Sequence, residues 1–178
     1  MPNWCDNKLT IKGPRNRVLD FIIQARGELQ RCPTDVAKPK IADFSFHQLC
    51  PIPDEIMALP YDPHGYEAEH AQWGIKWGAG DSILVSYKKL PGVDLAIASY
   101  VYRTPWAPGD IFLGKMAANW KDLSFALSYR EEYPTRGRRL FNGGVLVESI
   151  DDGPPEKFSM SWKNLYYRAH NKWTKEVL

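Results

Sequence analysis

The sequence has few cysteines, little net charge and no long apolar run. Its three cysteines, Cys5, Cys32 and Cys50, are widely spaced and include no Cys-x-x-Cys pair, which argues against a disulfide framework and against the common zinc motifs. The net charge of +2 is far from the basic excess typical of nucleic-acid-binding proteins. No segment approaches the roughly 18 apolar residues of a membrane span, and the amino terminus lacks the pattern of a signal peptide. We therefore expect a cytoplasmic protein with reduced thiols and no membrane contact.

Sequence motifs of enzyme active sites are also absent. There is no glycine-rich phosphate loop, nucleophile elbow or paired-carboxylate motif. His64, Glu67 and His70 lie three residues apart. Because a helix turns through about 600° over six residues, the two histidines would point well apart, which favours a solvated helix surface over a metal site. We predict no catalytic residues, no metal and no cofactor, and an enzyme is the less favoured interpretation.

Alternating and helical patterns follow one another along the chain. Cys5 to Lys12 alternates as in a half-buried strand, and Pro14 to Ala25 has the spacing of an amphipathic helix. A hairpin is expected from Ser82 to Arg103, and a helix begins at Asp110. The other expected elements are an extended piece at Phe44 and Phe46, a helical turn at Asp54 to Leu59, a short helix ending near Trp73, a strand at Leu123 to Arg130, and a last strand near Leu140 to Ile150 with Gly143-Gly144 as a bulge or turn.

This order of elements indicates an α+β domain of the ferredoxin-like (split βαβ) type. Such a domain has an antiparallel sheet with its helices on one face, here with one extra strand. We assign this domain to residues 1–152. Residues 153–178 differ, because apolar residues at steps of four and three predict a C-terminal amphipathic helix, packed on the domain or on a partner subunit. Those residues are Trp162, Tyr166, Ala169, Trp173 and Val177.

Four blocks of sequence carry a resemblance to a known family. They are the opening Met1 to Gly13, the strand and Pro-x-Pro turn at Phe46 to Pro53, the turn Trp73 to Trp77, and the segment Thr104 to Pro108. In the order and spacing of these blocks the chain resembles the YubB-like, Api-type ferredoxin-like family of phage and plasmid proteins, over about residues 1–150. The resemblance implies the fold, without an iron–sulfur cluster, and a mobile-element origin. It implies no established activity and no catalytic residues.

Three tryptophans, Trp73, Trp77 and Trp106, lie in segments rich in glycine and proline. Tryptophan combines a large apolar surface with one N–H donor, which suits a pocket or an anchor for a partner. The alternative is that the three indoles fill a small core beside the loops of a thinly covered sheet. The exposure of the indoles decides between the two interpretations.

Charged residues accompany these turns and supply candidate polar contacts. With the tryptophans, Lys76, Arg103 and Asp110 complete the predicted binding site. An unrecognised enzyme site is a further alternative, and it requires Lys76, Asp81, Arg103 and Asp110 to converge in one cleft.

Single-stranded nucleic acid is an alternative ligand. Trp4 and Lys8 of the first strand would lie on the helix-free face of the sheet. Tyr100 and Tyr102 would lie on the same face if their side chains, rather than those of the residues between them, point to that side. Ferredoxin-like sheets can stack bases on aromatic residues at such positions. A small basic cluster is interpreted as a solvated loop surface: Arg136, Arg138 and Arg139.

The sequence thus favours a non-enzymatic protein-binding or accessory module of phage or plasmid origin. The expected partner is a host or phage protein, and a homodimer through the C-terminal helix is a second option. Nucleic-acid binding and an enzyme near the tryptophan turns stay open as alternatives.

Overall fold

The computed structural model describes residues 3–28, 41–131 and 135–151, which form eight strands and five helices. The strands are β1 (Trp4–Pro14), β2 (Gly27–Glu28), β3 (Ile41–Ala42), β4 (Gly80–Lys89), β5 (Leu95–Pro105), β6 (Ser124–Arg130), β7 (Arg136–Asn142) and β8 (Val145–Asp151). The helices are α1 (Arg15–Ala25), α2 (Phe46–Leu49), α3 (Asp54–Met57), α4 (Tyr66–Trp73) and α5 (Asp110–Asn119), and an irregular helical turn, Tyr61–Gly65, precedes α4. The predicted C-terminal helix at residues 153–178 lies outside the described residues.

Six strands form one antiparallel sheet in the order β4-β5-β1-β6-β7-β8. β1 lies inside the sheet, because Leu9 is paired with Tyr100 of β5 on one side and with Leu127 of β6 on the other. The first four strands in this order, with α1 after β1 and α5 after β5, are the ferredoxin-like arrangement. The predicted fold class is therefore confirmed.

The alternation of β1 separates the face of the sheet that the described helices cover from the opposite face, which we call the open face although Val101 of β5 is buried on it. Leu9 and Ile11 are fully buried, whereas Lys8 on the opposite side is exposed. α1 covers the buried side with Val18 and Phe21, both fully buried. The spacing of these two residues, three apart, is that of one face of a helix, so the pattern that predicts α1 is also the pattern that buries it.

Aromatic side chains fill the space between the sheet and the helices. The centre of the Phe21 ring lies 5.2 Å from that of Trp120 and 5.6 Å from that of Phe125. Further along the core, the Phe46 ring stacks on the ring of Phe112 from α5. Pairs of this kind add to the stability gained from burial alone, by roughly 0.5–1.5 kcal/mol each.

Two predicted elements are wrong in detail. Phe46 begins helix α2 rather than an extended piece, because the Ser45 hydroxyl accepts a hydrogen bond from a backbone N–H of the first turn and caps the helix. The predicted last strand at residues 140–150 is two strands, β7 and β8. Between them Gly143 and Gly144 have φ angles of 59° and 83°, which suit a two-residue hairpin turn.

The remaining predicted elements are confirmed, namely β1, α1, α3, the short helix α4, the β4–β5 hairpin, α5 and β6. None of the helices in the described part of the chain has the length and apolar character that a membrane crossing requires.

Candidate functional site

Trp73, at the end of α4, belongs to the core. Its side chain is fully buried, and its indole N–H donates a hydrogen bond to the Cys50 carbonyl oxygen at 2.8 Å. The Phe46 ring contacts it edge-on at 6.0 Å. Trp73 therefore fills the small core beside the loops, and a binding partner cannot contact it.

Trp77 and Trp106 lie at the surface and form an aromatic site around a lysine. Their ring centres are 6.1 Å apart, Trp77 is half-buried, and Trp106 is 45% exposed. The Lys76 ammonium lies 4.4 Å from the Trp77 ring centre, 4.5 Å from that of Trp106 and 5.9 Å from that of Tyr66. These distances are within the range of cation–π attraction. We call Tyr66, Lys76, Trp77 and Trp106 the Lys76 cage.

The backbone of the cage is held in an unusual conformation. Trp77 and Trp106 have φ angles of 66° and 63°, in the left-handed region that residues with a side chain rarely adopt. Gly74 ends α4 with a left-handed cap, and the Trp106 N–H donates to the Asn3 carbonyl oxygen at 2.8 Å. Each left-handed tryptophan costs about 1–3 kcal/mol, which the surrounding contacts must offset.

A buried carboxylate supports the cage from below. Glu69 is 2% exposed, and its Oε2 accepts hydrogen bonds from the Trp77 backbone N–H at 2.8 Å and from the Tyr61 hydroxyl at 2.7 Å. Burial raises the pKa of Glu69, and these two hydrogen bonds and the nearby Lys76 charge lower it in part. Sequence reasoning missed Glu69. Its position four residues before Trp73, on the same helix face, is the signal that could have found it.

The cage has more hydrogen-bond donors than acceptors. Within the part of the chain that the structure describes, the buried Nε1 of Trp77 has no acceptor. The Lys76 ammonium makes no ion pair or hydrogen bond within residues 3–28, 41–131 and 135–151. Its contacts there are with the aromatic rings. An ammonium carries three donors, so this surface is suited to a ligand that supplies acceptors.

The other predicted charged residues make separate contacts. Arg103 forms an ion pair with Asp81, and its guanidinium lies 5.3 Å from the Trp4 ring centre. Asp110 pairs instead with Arg139. Of the four residues that an enzyme site would bring together, only Asp81 and Arg103 pair with each other among the described residues, while Lys76 lies at the tryptophans.

Arg139 is not part of a solvated loop, and that prediction is wrong. The residue is 7% exposed and donates to both carboxylate oxygens of Asp110, at 3.1 and 3.2 Å, and to Asp151 at 2.7 Å. The Tyr129 hydroxyl also donates to Asp151. The hydrogen bonds from Tyr129 and Arg139 lower the pKa of Asp151. This cluster joins the start of α5 to the two outer strands β7 and β8, which is a structural role.

The prediction of a nucleic-acid-binding set of residues on the open face is also wrong in part. Tyr100 and Tyr102 are fully buried on the helix-covered face, because Tyr100 is the register partner of the buried Leu9. Trp4 and Lys8 do lie on the open face, since they alternate with the buried positions of β1. Without the two tyrosines, that face lacks the central stacking pair that nucleic-acid recognition would use.

The two described cysteines are free thiols, and both are buried. Burial raises the pKa of Cys5 to about 12 and that of Cys50 to about 11, which leaves both thiols protonated and unreactive at neutral pH. In the three described ranges, no three His, Cys, Asp or Glu side chains gather as metal ligands would.

The sheet order and helix placement define the class of protein as a ferredoxin-like α+β domain, here with two added outer strands and an aromatic surface site. Residues 72–168 match the family model described as the ferredoxin-like domain in Api92-like protein. The match spans more than half of the 178 residues, so the chain belongs to this family. It begins at Gln72 and extends beyond about residue 150, where the resemblance noted from the sequence ended.

A solved structure has a similar fold. The crystal structure of a protein api92 from Yersinia pseudotuberculosis is similar, with a TM-score of 0.59 and 10% sequence identity, over 86% of this chain and 99% of that chain. At this identity the likeness shows the fold alone. None of the curated proteins matches the chain.

Proposed function

We propose that this Api92-like chain is a non-enzymatic accessory protein of a phage or plasmid, and that it binds a host or phage protein in the cytoplasm through the Lys76 cage. The observation that carries the proposal is the pair formed by half-buried Trp77 and 45% exposed Trp106, with an ammonium between them. Exposed tryptophan is enriched among the residues that dominate binding energy at protein interfaces.

Backbone strain supports a binding role for this surface. Trp77 and Trp106 both have left-handed backbone conformations, which cost stability and would be relieved by glycine. Strain of this kind clusters at functional sites, where the surrounding structure maintains it. The placement of a large apolar ring on such a backbone favours a role that needs the ring itself.

The charged residues around the cage support binding rather than catalysis. Arg103 is paired with Asp81, and Asp110 is paired with Arg139, so these groups hold elements of the fold together. The Glu69 carboxylate is buried beneath the cage, where it holds the Trp77 backbone. What faces outward is an aromatic surface with one cation.

A displayed library of random seven-residue peptides tests the proposal. We expect selection on the full chain to enrich peptides whose binding is lost in Trp106→Ala and kept in Ile23→Ala, a control at a 73% exposed position of α1. If no peptide is enriched, or if Trp106→Ala binds the enriched peptides as well as the wild type does, the proposal is wrong.

A further inference from the structure

We infer that the Lys76 cage recognises a single carboxylate of its protein partner, carried next to a large apolar side chain. This inference rests on the proposed function and names the chemistry of the group that is bound. It concerns Lys76, Trp77 and Trp106, and each of these supplies one part of the recognition.

Lys76 supplies the charge. Aromatic cages usually recognise a cation from a ligand, but here the cation belongs to the protein and lies within 4.5 Å of both indole ring centres. The rings hold the ammonium in place without using its three N–H donors. A charged donor that is already positioned loses little side-chain entropy when an anion binds to it.

Trp77 supplies the second ring against the ammonium, with its centre 4.4 Å from the Lys76 Nζ. Its Nε1 is buried, so a bound group would meet the ammonium rather than this N–H. The ammonium thus gives the site its hydrogen-bond donors. A carboxylate is the protein group that offers most acceptor positions in the least space, because its two oxygens accept about four hydrogen bonds.

Trp106 supplies the apolar contact. Its ring is 45% exposed and lies 4.5 Å from the ammonium, so a group bound to Lys76 would have an indole surface directly beside it. A large apolar or aromatic side chain next to the carboxylate in the partner would cover that surface. Such a pairing of one charged contact with one aromatic contact is typical of interface anchor points.

The charges around the cage favour one carboxylate over a polyanion. α4 carries Glu67 and Glu69 close to Lys76 in sequence, and Arg103 is neutralised by Asp81. A nucleic-acid strand needs several cations along its path, because each phosphate is charged. A single lysine that has no ion pair among the described residues, next to a helix with acidic residues, is matched to a single negative group.

The test begins with the peptides enriched from the random seven-residue library. We expect Asp or Glu next to a large apolar residue among them. Changing that acid to its amide, Asn or Gln, should weaken binding to the wild type about tenfold, the loss expected for one charge-assisted hydrogen bond of about 1.4 kcal/mol. This comparison uses the unaltered protein, so it does not depend on a variant that folds poorly.

A double-mutant cycle then assigns the effect to Lys76. In Lys76→Met the acid peptide should bind about tenfold more weakly, and the acid and amide peptides should bind equally. Lys76→Arg keeps the charge and should retain the preference for the acid, and Lys12→Met, an exposed lysine of β1, should leave it unchanged.

The outcomes separate this inference from the proposed function. Peptides that need Trp106 but bind equally as acid and amide would overturn the carboxylate assignment and leave the proposed function standing. Failure to enrich any peptide would overturn both. Binding of a twenty-residue oligothymidine that is lost in Lys76→Met would overturn the peptide assignment in favour of nucleic acid.

Discussion

Single residues decide what the aromatic surface can do. Trp73, Trp77 and Trp106 have similar sequence surroundings, yet the first is fully buried and the third is 45% exposed. The difference follows from the backbone, since Trp73 ends a regular helix whereas the other two have left-handed φ angles. Local sequence identifies the tryptophan turns, but the direction in which each indole points depends on contacts with distant segments. Phe46 for Trp73 and Asn3 for Trp106 are two such contacts.

The left-handed conformation at Trp106 leads to a prediction about stability. Trp106→Gly should be more stable than Trp106→Ala by about 1 kcal/mol, because glycine adopts a positive φ without steric cost. Both variants lose the ring, so their difference isolates the backbone. The measurement is the free energy of unfolding in urea. At Ile23, in the last turn of α1, the order should be reversed, with the alanine variant more stable than the glycine variant. If the alanine and glycine variants at position 106 were equally stable, the backbone strain inferred for Trp106 would be contradicted.

Glu69 leads to a prediction about pH. Its pKa is raised in the folded chain above the ordinary value of 4.5, so the folded state holds this proton more tightly than the unfolded state does. The contribution of Glu69 to stability is therefore largest at pH below about 4.5 and is lost as the pH rises through the folded-state pKa. Glu69→Gln removes this titration. We expect the variant to gain free energy of unfolding relative to the wild type between pH 4.5 and neutral pH.

The measurement for Glu69 is urea unfolding of both proteins across that pH range. Glu67→Gln, at an exposed position of the same helix, controls for the loss of one negative charge. Parallel stability curves for the wild type and Glu69→Gln would show that the buried carboxylate does not titrate as argued.

At the scale of elements, Arg139 connects α5 to the outer strands. Its guanidinium is 7% exposed and contacts Asp110 at the start of α5 and Asp151 at the end of β8. We expect Arg139→Met to reduce the free energy of unfolding by about 2–3 kcal/mol, because several charge-assisted hydrogen bonds are lost while the two carboxylates remain accessible to water. Lys88→Met, on an exposed part of β4, is the control. A denaturation midpoint that is unchanged in Arg139→Met would contradict this role.

The elements themselves are largely predictable, because helix and strand patterns are local. The alternation of β1 and the spacing of α1 are present in consecutive residues, so no distant contact is needed to see them. The face of the sheet on which Tyr100 and Tyr102 lie is not predictable from local sequence in this way. β5 is apolar on both sides, with Ile97 and Val101 alternating with the tyrosines, so its phase is set only by pairing with β1.

At the scale of the whole molecule, the two edges of the sheet differ. β4 has two irregularities in its pairing and ends in Lys88 and Lys89, features that discourage association of edge strands. β8 begins with Val145, Leu146 and Val147, which are 61%, 50% and 54% exposed. An exposed apolar edge is a site for pairing with a second chain.

We therefore expect self-association through β8 at high protein concentration. Val147→Lys should reduce it, because a charge on an edge strand opposes pairing. The measurement is the molar mass by light scattering over a concentration series. Val93→Lys, a 56% exposed position in the β4–β5 turn, should associate as the wild type does. Association that is unaffected by Val147→Lys would place the contact elsewhere on the chain.

The position of β1 inside the sheet has a consequence for how the chain folds. Asp6 of β1 is paired with Arg103 on one side and with Arg130 on the other, so both neighbours come from much later in the sequence. During synthesis the ribosome releases β1 long before β5 and β6 exist. Pairings of such large sequence separation slow folding, because a long loop must close before they form. The first strand to be made therefore waits for residues 95–105 before it can pair, and until then the nascent chain carries a half-apolar segment without its partners.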